Sequence, residues 1–576
     1  MMINHDTSRT WDTIKRDTDE RLAAAAKIVG SGKVVTAEDA VALLEAVIRP
    51  FDRVNIEGDN QKQADFLAQC LCAVDPAKVH DLHMVQSVLT LPEHLDVFEK
   101  GIAKKLDFSF SGPQSGRIAE LLGAGKLDLG AIHTYLELYG RYFLDLTPRV
   151  ALVVADAADR EGNLYTGFST EDTPTIVEAT KFRQGIVIVQ VNEIVDRLPR
   201  VDIPADFVDF IVTSPRPFYI EPLFTRDPAK ITDARVLTAM MTIKGIYAEY
   251  GIQNLNHGVG YDTAAIELLL PTYGEELGLK GKICSNWILN PHPTLIPAIE
   301  SGWVKSVHSF GGELGMERYV AARPDVFFIG PDGSMRSNRC MSQVAGHYAI
   351  DAFVGATLQI DPYGNSSTAT ATKVAGFGGA PNMGCDSRGR RHSTAAWLKA
   401  GAEVGSQAAA IGPDLHRGRR LVVQILNTVA RIRDKKNPGQ FKEIPAFVEH
   451  LDAEKLMKNA NLPIEPVMIY GDDLTHIVTE QGIAYLHRCR DIEERRAAIR
   501  SVAGKTPVGL QGSEEERRRM RELGIVKTPA DLGIDVATAT RDRLAAKDIM
   551  ELVEWSGGLY DPPAKFLPGK EDSSRR

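Results

Sequence analysis

A chain of 576 residues with 44% apolar, 25% charged and 7% aromatic residues can bury several cores and has the make-up of an ordinary globular protein, which excludes a disordered or fibrous chain. Its 67 Lys and Arg against 76 Asp and Glu leave a net charge of −9, so neither nucleic acid nor an anionic membrane is expected as the main partner. No apolar run reaches the roughly 18–20 residues of a spanning helix, and the opening stretch MMINHDTSRTWDTIKRDTDE lacks the apolar centre of a signal peptide, so a cytoplasmic location is expected.

In chain order, residues 8–30 read as an amphipathic helix, and Thr36-Ala-Glu-Asp39 as a capping-box start for a second helix with Val41, Leu44 and Ile48 on one face. Short apolar runs bounded by turn residues then alternate with helical stretches: Ala151–Ala155, Gly185–Val191, Phe207–Val212, Val326–Ile329, Leu421–Leu426 and Pro466–Tyr470. Runs of this length, rich in Val and Ile, suit strands of a mainly parallel sheet covered on both faces, which makes the fold α/β. Pro222-Leu-Phe-Thr-Arg-Asp-Pro228, with two prolines and an Asp-Pro turn, reads as a junction, and the tail from about Pro562 as flexible. Six cysteines, at 70, 72, 284, 340, 385 and 489, make no disulfide framework for so long a chain and are expected as free thiols. There is no C-x-x-C, no H-E-x-x-H and no P-loop, so neither a metal nor a bound nucleotide is expected.

Internal repetition is the strongest architectural signal. Asp159-Arg-Glu-Gly-Asn163 and Asp361-Pro-Tyr-Gly-Asn365 each follow a strand-like run, although D-x-x-G-N should occur on the order of 0.1 times in a chain of this length. Val54-Asn-Ile-Glu-Gly58 and Asn254-Leu-Asn-His-Gly258 form a second pair, each ahead of an apolar helix, and both pairs are offset by about 200 residues. Two tandem α/β units follow from this, with boundaries read as a helical N-terminal extension over 1–35, a first domain over 36–225, a second with a C-terminal extension over 226–561, and a tail over 562–576.

Three glycine-bearing loops could carry chemistry. His257-Gly-Val-Gly260-Tyr-Asp-Thr263 precedes an apolar helix, where backbone N–H groups can hold an oxyanion, although such a turn is also a common structural device. Gly376-Phe-Gly378-Gly379-Ala-Pro-Asn382-Met-Gly384 runs directly into Cys385-Asp-Ser-Arg388-Gly-Arg390-Arg391-His392, which reads as an anion-binding loop suited to a dicarboxylate or as a solvated basic loop. Gly311-Gly-Glu313-Leu-Gly315 sets a carboxylate among glycines, as a surface turn or as a catalytic group. His292 and His308 lie near these loops, but no G-x-S-x-G elbow supports a serine nucleophile.

The paired turns, the stretch from Ala155 to Leu164, the run Gly376–Gly379 and the segment Ile477-Val-Thr-Glu-Gln-Gly-Ile-Ala484 together resemble the CoA-transferase superfamily, which includes acetyl-CoA hydrolases and citrate lyase α chains. The longer string GGAPNMGCDSRGRRHS and the overall length are most similar to the α subunits of biotin-independent malonate decarboxylases. That resemblance implies two tandem CoA-transferase-like domains and transfer of an acyl carrier protein from acetate to malonate, with decarboxylase subunits of the same complex as further partners. It also implies no cofactor of the chain's own: the thiol would be the phosphoribosyl-dephospho-CoA arm of the carrier subunit.

CoA transferases of this fold typically carry a nucleophilic Glu on a second-half loop. The corresponding stretch here reads as Ile283-Cys-Ser-Asn286-Trp-Ile288, with Asn in place of Glu. The resemblance therefore implies that Val259 and Gly260 N–H groups form an oxyanion hole and that Asn286 positions the reacting carboxylate, with Glu313 the reserve nucleophile. Gly378, Gly379 and Asn382 would receive the thioester arm and substrate, while Arg388, Arg390 and Arg391 would hold malonate's distal carboxylate. A transferase acting on free CoA, or a non-catalytic scaffold that docks a carrier protein, stands as the alternative.

Overall fold

In the computed structural model the described residues are 13–30, 32–58, 62–335, 337–385, 394–403, 419–433, 439–462 and 464–567. The first sheet uses β1 (Val34–Val35), β2 (Arg53–Ile56), β3 (Leu82–Val88), β4 (Ala103–Phe110), β5 (Asp128–Ile132), β6 (Val150–Asp159), β7 (Leu164–Tyr165), β8 (Ile186–Val195) and β9 (Phe210–Thr213). Its order is β1-β9-β8-β6-β2-β3-β4-β5, all parallel, with β7 hairpinned antiparallel on β6. The second half contributes β10 (Asn254–His257), β11 (Asn286–Ile288), β12 (Ser306–His308), β13 (Ala352–Ala356), the hairpin β14 (Gln359–Ile360) with β15 (Ser366–Ser367), β16 (Leu421–Ile425), the hairpin β17 (Val429–Arg433) with β18 (Phe441–Pro445), β19 (His476–Thr479), β20 (Gly482–Tyr485) and β21 (Val526–Lys527). Its sheet runs β12-β11-β10-β13-β16-β19-β20-β21, parallel as far as β19 and antiparallel at the last two strands.

The continuous apolar runs make sense once both sheet faces are covered. Along β6 and β8, Val150, Leu152, Val154, Ile186 and Ile188 enter one core, while Ala151, Val153, Ala155, Val187 and Val189 enter the core on the opposite face. The first of these cores also takes in Phe353, Val422 and Ile477 of the second half, so the two halves share buried apolar contact.

Two of the expected strands do not form. Val326–Ile329 makes a single bridge, Phe327 to Val307 at the sheet edge, and leaves Phe328 77% exposed. Pro466–Tyr470 likewise makes one bridge, Ile469 to Ser366. The helix expected after Thr36 starts at Ala40 and buries Ala40, Leu43, Leu44 and Val47; of the expected stripe Leu44 and Ile48 are buried and Val41 packs partly buried against the same core. Thr36 and Asp39 bond each other's side chains at 2.8 Å in the turn before it, and Asp39 at the N-cap makes no side-chain cap. The N-terminal helix runs Thr13–Val29 and is pinned by Arg21, whose guanidinium donates to the Asp52 carboxylate and to Val47 O at 2.7 Å. Part of the expected tail is also held: Ala564–Phe566 is a helical turn and Lys565 pairs with Glu221, whereas residues 568–576 lie outside the described residues.

The two D-x-x-G-N turns have the same construction. Asp159 Oδ1 accepts from the N–H groups of Glu161, Gly162 and Asn163, and Asp361 Oδ1 from those of Tyr363 and Asn365. Asn163 and Asn365 each donate back to the Asp Oδ2, at 2.8 and 2.9 Å, and Gly162 and Gly364 take φ of +96° and +87°, which a Cβ disfavours. No helix among the described residues is long and apolar enough to cross a membrane.

Candidate active site

In an open parallel sheet the loops after the strands' carboxyl ends are where ligands bind. Here the carboxyl ends of β4 and β5 meet loops of the second half. Ser109 O accepts from Phe377 N and Gly378 N at 2.7 and 2.9 Å, Ser111 N donates to Ala375 O at 2.9 Å, and Tyr135 N donates to Gly378 O at 3.0 Å. The glycine-rich run thus lies as an extra strand-like segment along the first half, bridging Phe110 to Gly376 and Thr134 to Gly378. A Cβ on Gly378 would stand 3.3 Å from the Tyr135 ring, and one on Gly379 would stand 2.7 Å from the Gln343 amide, so the space beside both glycines is taken by protein. Asn382 is buried, with Nδ2 3.4 Å from Gln343 Oε1. Arg388, Arg390 and Arg391 lie outside the described residues.

Across the same seam runs a buried charge cluster that sequence reading missed. Glu171 is left-handed at φ +46° and fully buried; its carboxylate accepts from Gly312 N at 2.9 Å and from the Arg339 guanidinium. Arg339 Nε stands 3.3 Å from Asp172, which also accepts from Tyr139 OH at 2.5 Å and from Ser87. Burial works against the Arg339 charge, but Asp172 and Glu171 outweigh it and hold its pKa above the ordinary range. Gly311 must be glycine for this contact, since a Cβ there would fall 1.6 Å from Glu171 Oε1. Only the glycines at 311 and 312 hinted at such a close approach; the partner acid lies 140 residues upstream, where no spacing rule reaches.

Val259 and Gly260 follow the carboxyl end of β10. Gly258 N donates to Val354 O at 2.7 Å and Thr263 Oγ1 braces Gly258 O at 2.7 Å, whereas the N–H groups of Val259 and Gly260 make no hydrogen bond among the described residues. Both residues are partly exposed and immediately precede the helix Tyr261–Leu269, which has no side-chain cap. Free amides at a helix amino end are a ready receptor for developing negative charge. Beneath them Glu267 accepts from His257 Nδ1 (2.9 Å), His292 Nδ1 (3.0 Å) and Thr294 Oγ1 (2.5 Å). Burial alone would raise the Glu267 pKa; the His292 and His257 imidazoles reverse this and hold it at about 2. His292 is therefore scaffolding beneath the β10 and β11 loops, while His308 closes the edge strand β12 with an exposed side chain.

Asn286 is not brought to these amides. It opens β11, in register with Asn254 at the amino end of β10, and Val259 lies beyond the other end of that strand, roughly 10 Å or more away. Its side chain forms a polar ladder, donating to Asn254 Oδ1 and accepting from Ser306 Oγ, both at 2.9 Å. At the carboxyl end of β11 the side-chain amide is that of Asn290, buried and donating to Gly312 O at 2.8 Å. Nothing in the sequence marks where the short strand begins, so spacing alone does not show which end of it Asn286 occupies. Asn286→Ala should accordingly cost about 1 kcal/mol of stability and leave the chain's activity within about twofold of the parent, as checked by thermal melts and initial rates.

Glu313 is fully buried. Its Oε1 accepts from Phe224 N (3.1 Å), Thr225 N (2.9 Å) and Thr225 Oγ1 (2.9 Å), while Oε2 has no partner among the described residues. Burial pushes its pKa up to about 8, against the Thr225 hydroxyl and amide, Arg226 and the Phe224 amide, which lower it. A carboxyl enclosed in this way and protonated near neutrality clasps the junction segment and is poorly suited to nucleophilic attack.

Comparison with known proteins decides the family. The malonate decarboxylase α-subunit ("transporter") family model matches residues 10–568. The chain belongs to this family. It is 65% identical to the acetyl-S-ACP:malonate ACP transferase of Malonomonas rubra, over 97% of this chain and 99% of that one. Among solved structures, a Pseudomonas malonate decarboxylase hetero-tetramer in complex with malonate matches with a TM-score of 0.90 and 59% identity, covering 97% of this chain and 99% of that chain. The malonate decarboxylase α subunit of Acinetobacter baumannii matches at 0.88 and 55%, covering 96% and 100%. At 14% identity and a TM-score of 0.56, over 86% of each chain, the citrate lyase α subunit of Streptococcus mutans shares the fold, as does an acyl-CoA transferase of Escherichia coli. The α/β architecture of this family member is that of the CoA-transferase group, as expected from its turns and glycine run.

Proposed function

We propose that the chain is the transferase subunit of a malonate decarboxylase, converting acetyl-S-carrier protein and malonate into malonyl-S-carrier protein and acetate. The observation that carries this reading is the 65% identity, end to end, with a transferase of that name. The free, partly exposed amides of Val259 and Gly260 at a helix amino end support it as receptors for the developing oxyanion.

A malonate carboxylate oxygen attacks the acetyl carbonyl carbon, and the oxyanion rests on the two N–H groups. Collapse breaks the C–S bond, expels the carrier thiolate and leaves an acetyl-malonyl anhydride. The thiolate then attacks the malonyl carbonyl and acetate departs with the bonding pair. No net proton is required, so the protein's task is to hold two anions and a thioester in line, and proximity with preorganised N–H donors accounts for much of the barrier reduction. With Asn286 at the wrong end of its strand and Glu313 enclosed, direct attack by malonate fits the described residues better than an acyl-glutamyl route. The carrier's phosphoribosyl-dephospho-CoA arm would enter along the seam, and the basic run at 388–391 would meet anionic groups of arm or substrate. Assembly into a multisubunit complex is supported by the hetero-tetramer of the Pseudomonas relative.

The test is mass spectrometry of the carrier after incubation of acetyl-carrier, malonate and this chain. A shift from acetyl to malonyl is expected; equal activity with acetyl-CoA would favour a free-CoA transferase, and tight binding without exchange would favour a scaffold.

A further inference from the structure

The junction segment does more than connect. Its Arg226 donates from Nη1 to Leu223 O (2.7 Å) and Thr225 O (2.8 Å), which folds the side chain back and fixes the guanidinium with its carbon 5.8 Å from the centre of the Tyr261 ring. Tyr261 is the first residue of the helix whose preceding amides, at Val259 and Gly260, are unpaired. Arg226 Nε and Nη2 make no hydrogen bond among the described residues, yet they are not sealed from solvent.

No carboxylate among the described residues forms an ion pair with this cation. The acids that act on it from further off are Glu313 and Glu267, the first protonated near neutrality and the second already engaged by two imidazoles and a hydroxyl. Asp262, on the same helix turn, faces Arg235 at 3.4 Å. Burial pulls the Arg226 pKa below its ordinary value, but a guanidinium does not shed its proton, so the charge stays in place without a counter-ion. A half-buried cation whose spare donors still reach solvent can take an anion, and its planar fork matches a carboxylate.

Building on the transferase reading, we propose that Arg226 receives the malonate carboxylate that does not react and so makes the acceptor site select a dicarboxylate over a monocarboxylate. Malonate carries its two carboxylates on one carbon, so a molecule attacking at the Val259 and Gly260 amides presents the second close by, toward the Tyr261 side of the helix end. The basic run at 388–391 is then left to the phosphates of the carrier arm.

The test uses the assembled complex with its carrier, as the parent, Arg226→Gln and Arg226→Lys. Two rates are compared: malonate-dependent release of acetate, and exchange of labelled acetate into acetyl-carrier, a reaction whose acceptor has no second carboxylate. Arg226→Gln should raise the malonate KM about 100-fold and Arg226→Lys about tenfold, with acetate exchange within about threefold of the parent in both. Parallel loss of both reactions would overturn the assignment, since a structural role does not distinguish the acceptors. An unchanged malonate KM in both variants, or a rise produced by Arg390→Ala alone, would overturn it too. A parent complex that released no acetate on addition of malonate would instead overturn the transferase reading, and this assignment with it.

Discussion

Glu313→Gln is expected to flatten a decline in stability that the parent shows as pH rises from about 4.5 to about 8. Below that window the carboxyl is protonated in both folded and unfolded chains. Within it the unfolded chain, near the ordinary value of 4.5, has lost the proton that the folded chain still holds because its pKa is about 8. The folded state therefore binds more protons, and stability falls with rising pH by about 1.4 kcal/mol per unit until the folded group ionises, after which the loss is complete. Glutamine keeps the oxygen that accepts from Phe224 N, Thr225 N and Thr225 Oγ1 and has nothing to titrate. Thermal midpoints of parent and variant across pH 5 to 9 should differ by an amount that changes through the window and levels off above it. Parallel curves would assign the titration elsewhere.

The larger loss is expected from Arg339→Met. This removes a buried cation that faces both Glu171 and Asp172 and leaves two buried carboxylates less compensated, a change that typically costs about 3–5 kcal/mol. The cost has a functional side, because Glu171 holds the Gly312 amide and Arg339 lies 5.0 Å over the Tyr135 ring, whose backbone N–H bonds Gly378. Loops of both halves would lose their common register, and transfer should fall along with the melting temperature. Adding Glu171→Gln to Arg339→Met removes one of the two buried negative charges and should recover part of the stability, since the two side chains are directly coupled. Additive losses in that double variant would show that the pair does not hold the seam.

Much of the fold was legible because strands covered on both faces must be apolar throughout, and β6, β8 and β16 satisfy that rule without help from distant residues. The edge segments at 326–329 and 466–470 have the same composition but lack neighbours on one side, a difference that residue identity does not record. The glycine-rich loops were legible as places of close approach. What approaches was not: at Gly311 it is the Glu171 carboxylate, and at Gly379 the Gln343 amide.

The sequence by itself determined the local chemistry. The two D-x-x-G-N turns, with their Asp, left-handed Gly and Asn, fold alike because the bonds to their Asp carboxylates lie within five residues. It also determined the family, through motifs long enough to be unlikely by chance. Tertiary structure alone decided which end of a sheet a residue occupies and which charges are compensated. Strand register, invisible in the sequence, sets Asn286 at the amino end of β11, and Arg226, part of a linker by its sequence, is held 5.8 Å from the centre of the Tyr261 ring with no carboxylate of the described residues in an ion pair with it. Strand register and charge compensation depend on chain segments tens to hundreds of residues apart, and those distances exist only after the chain has folded.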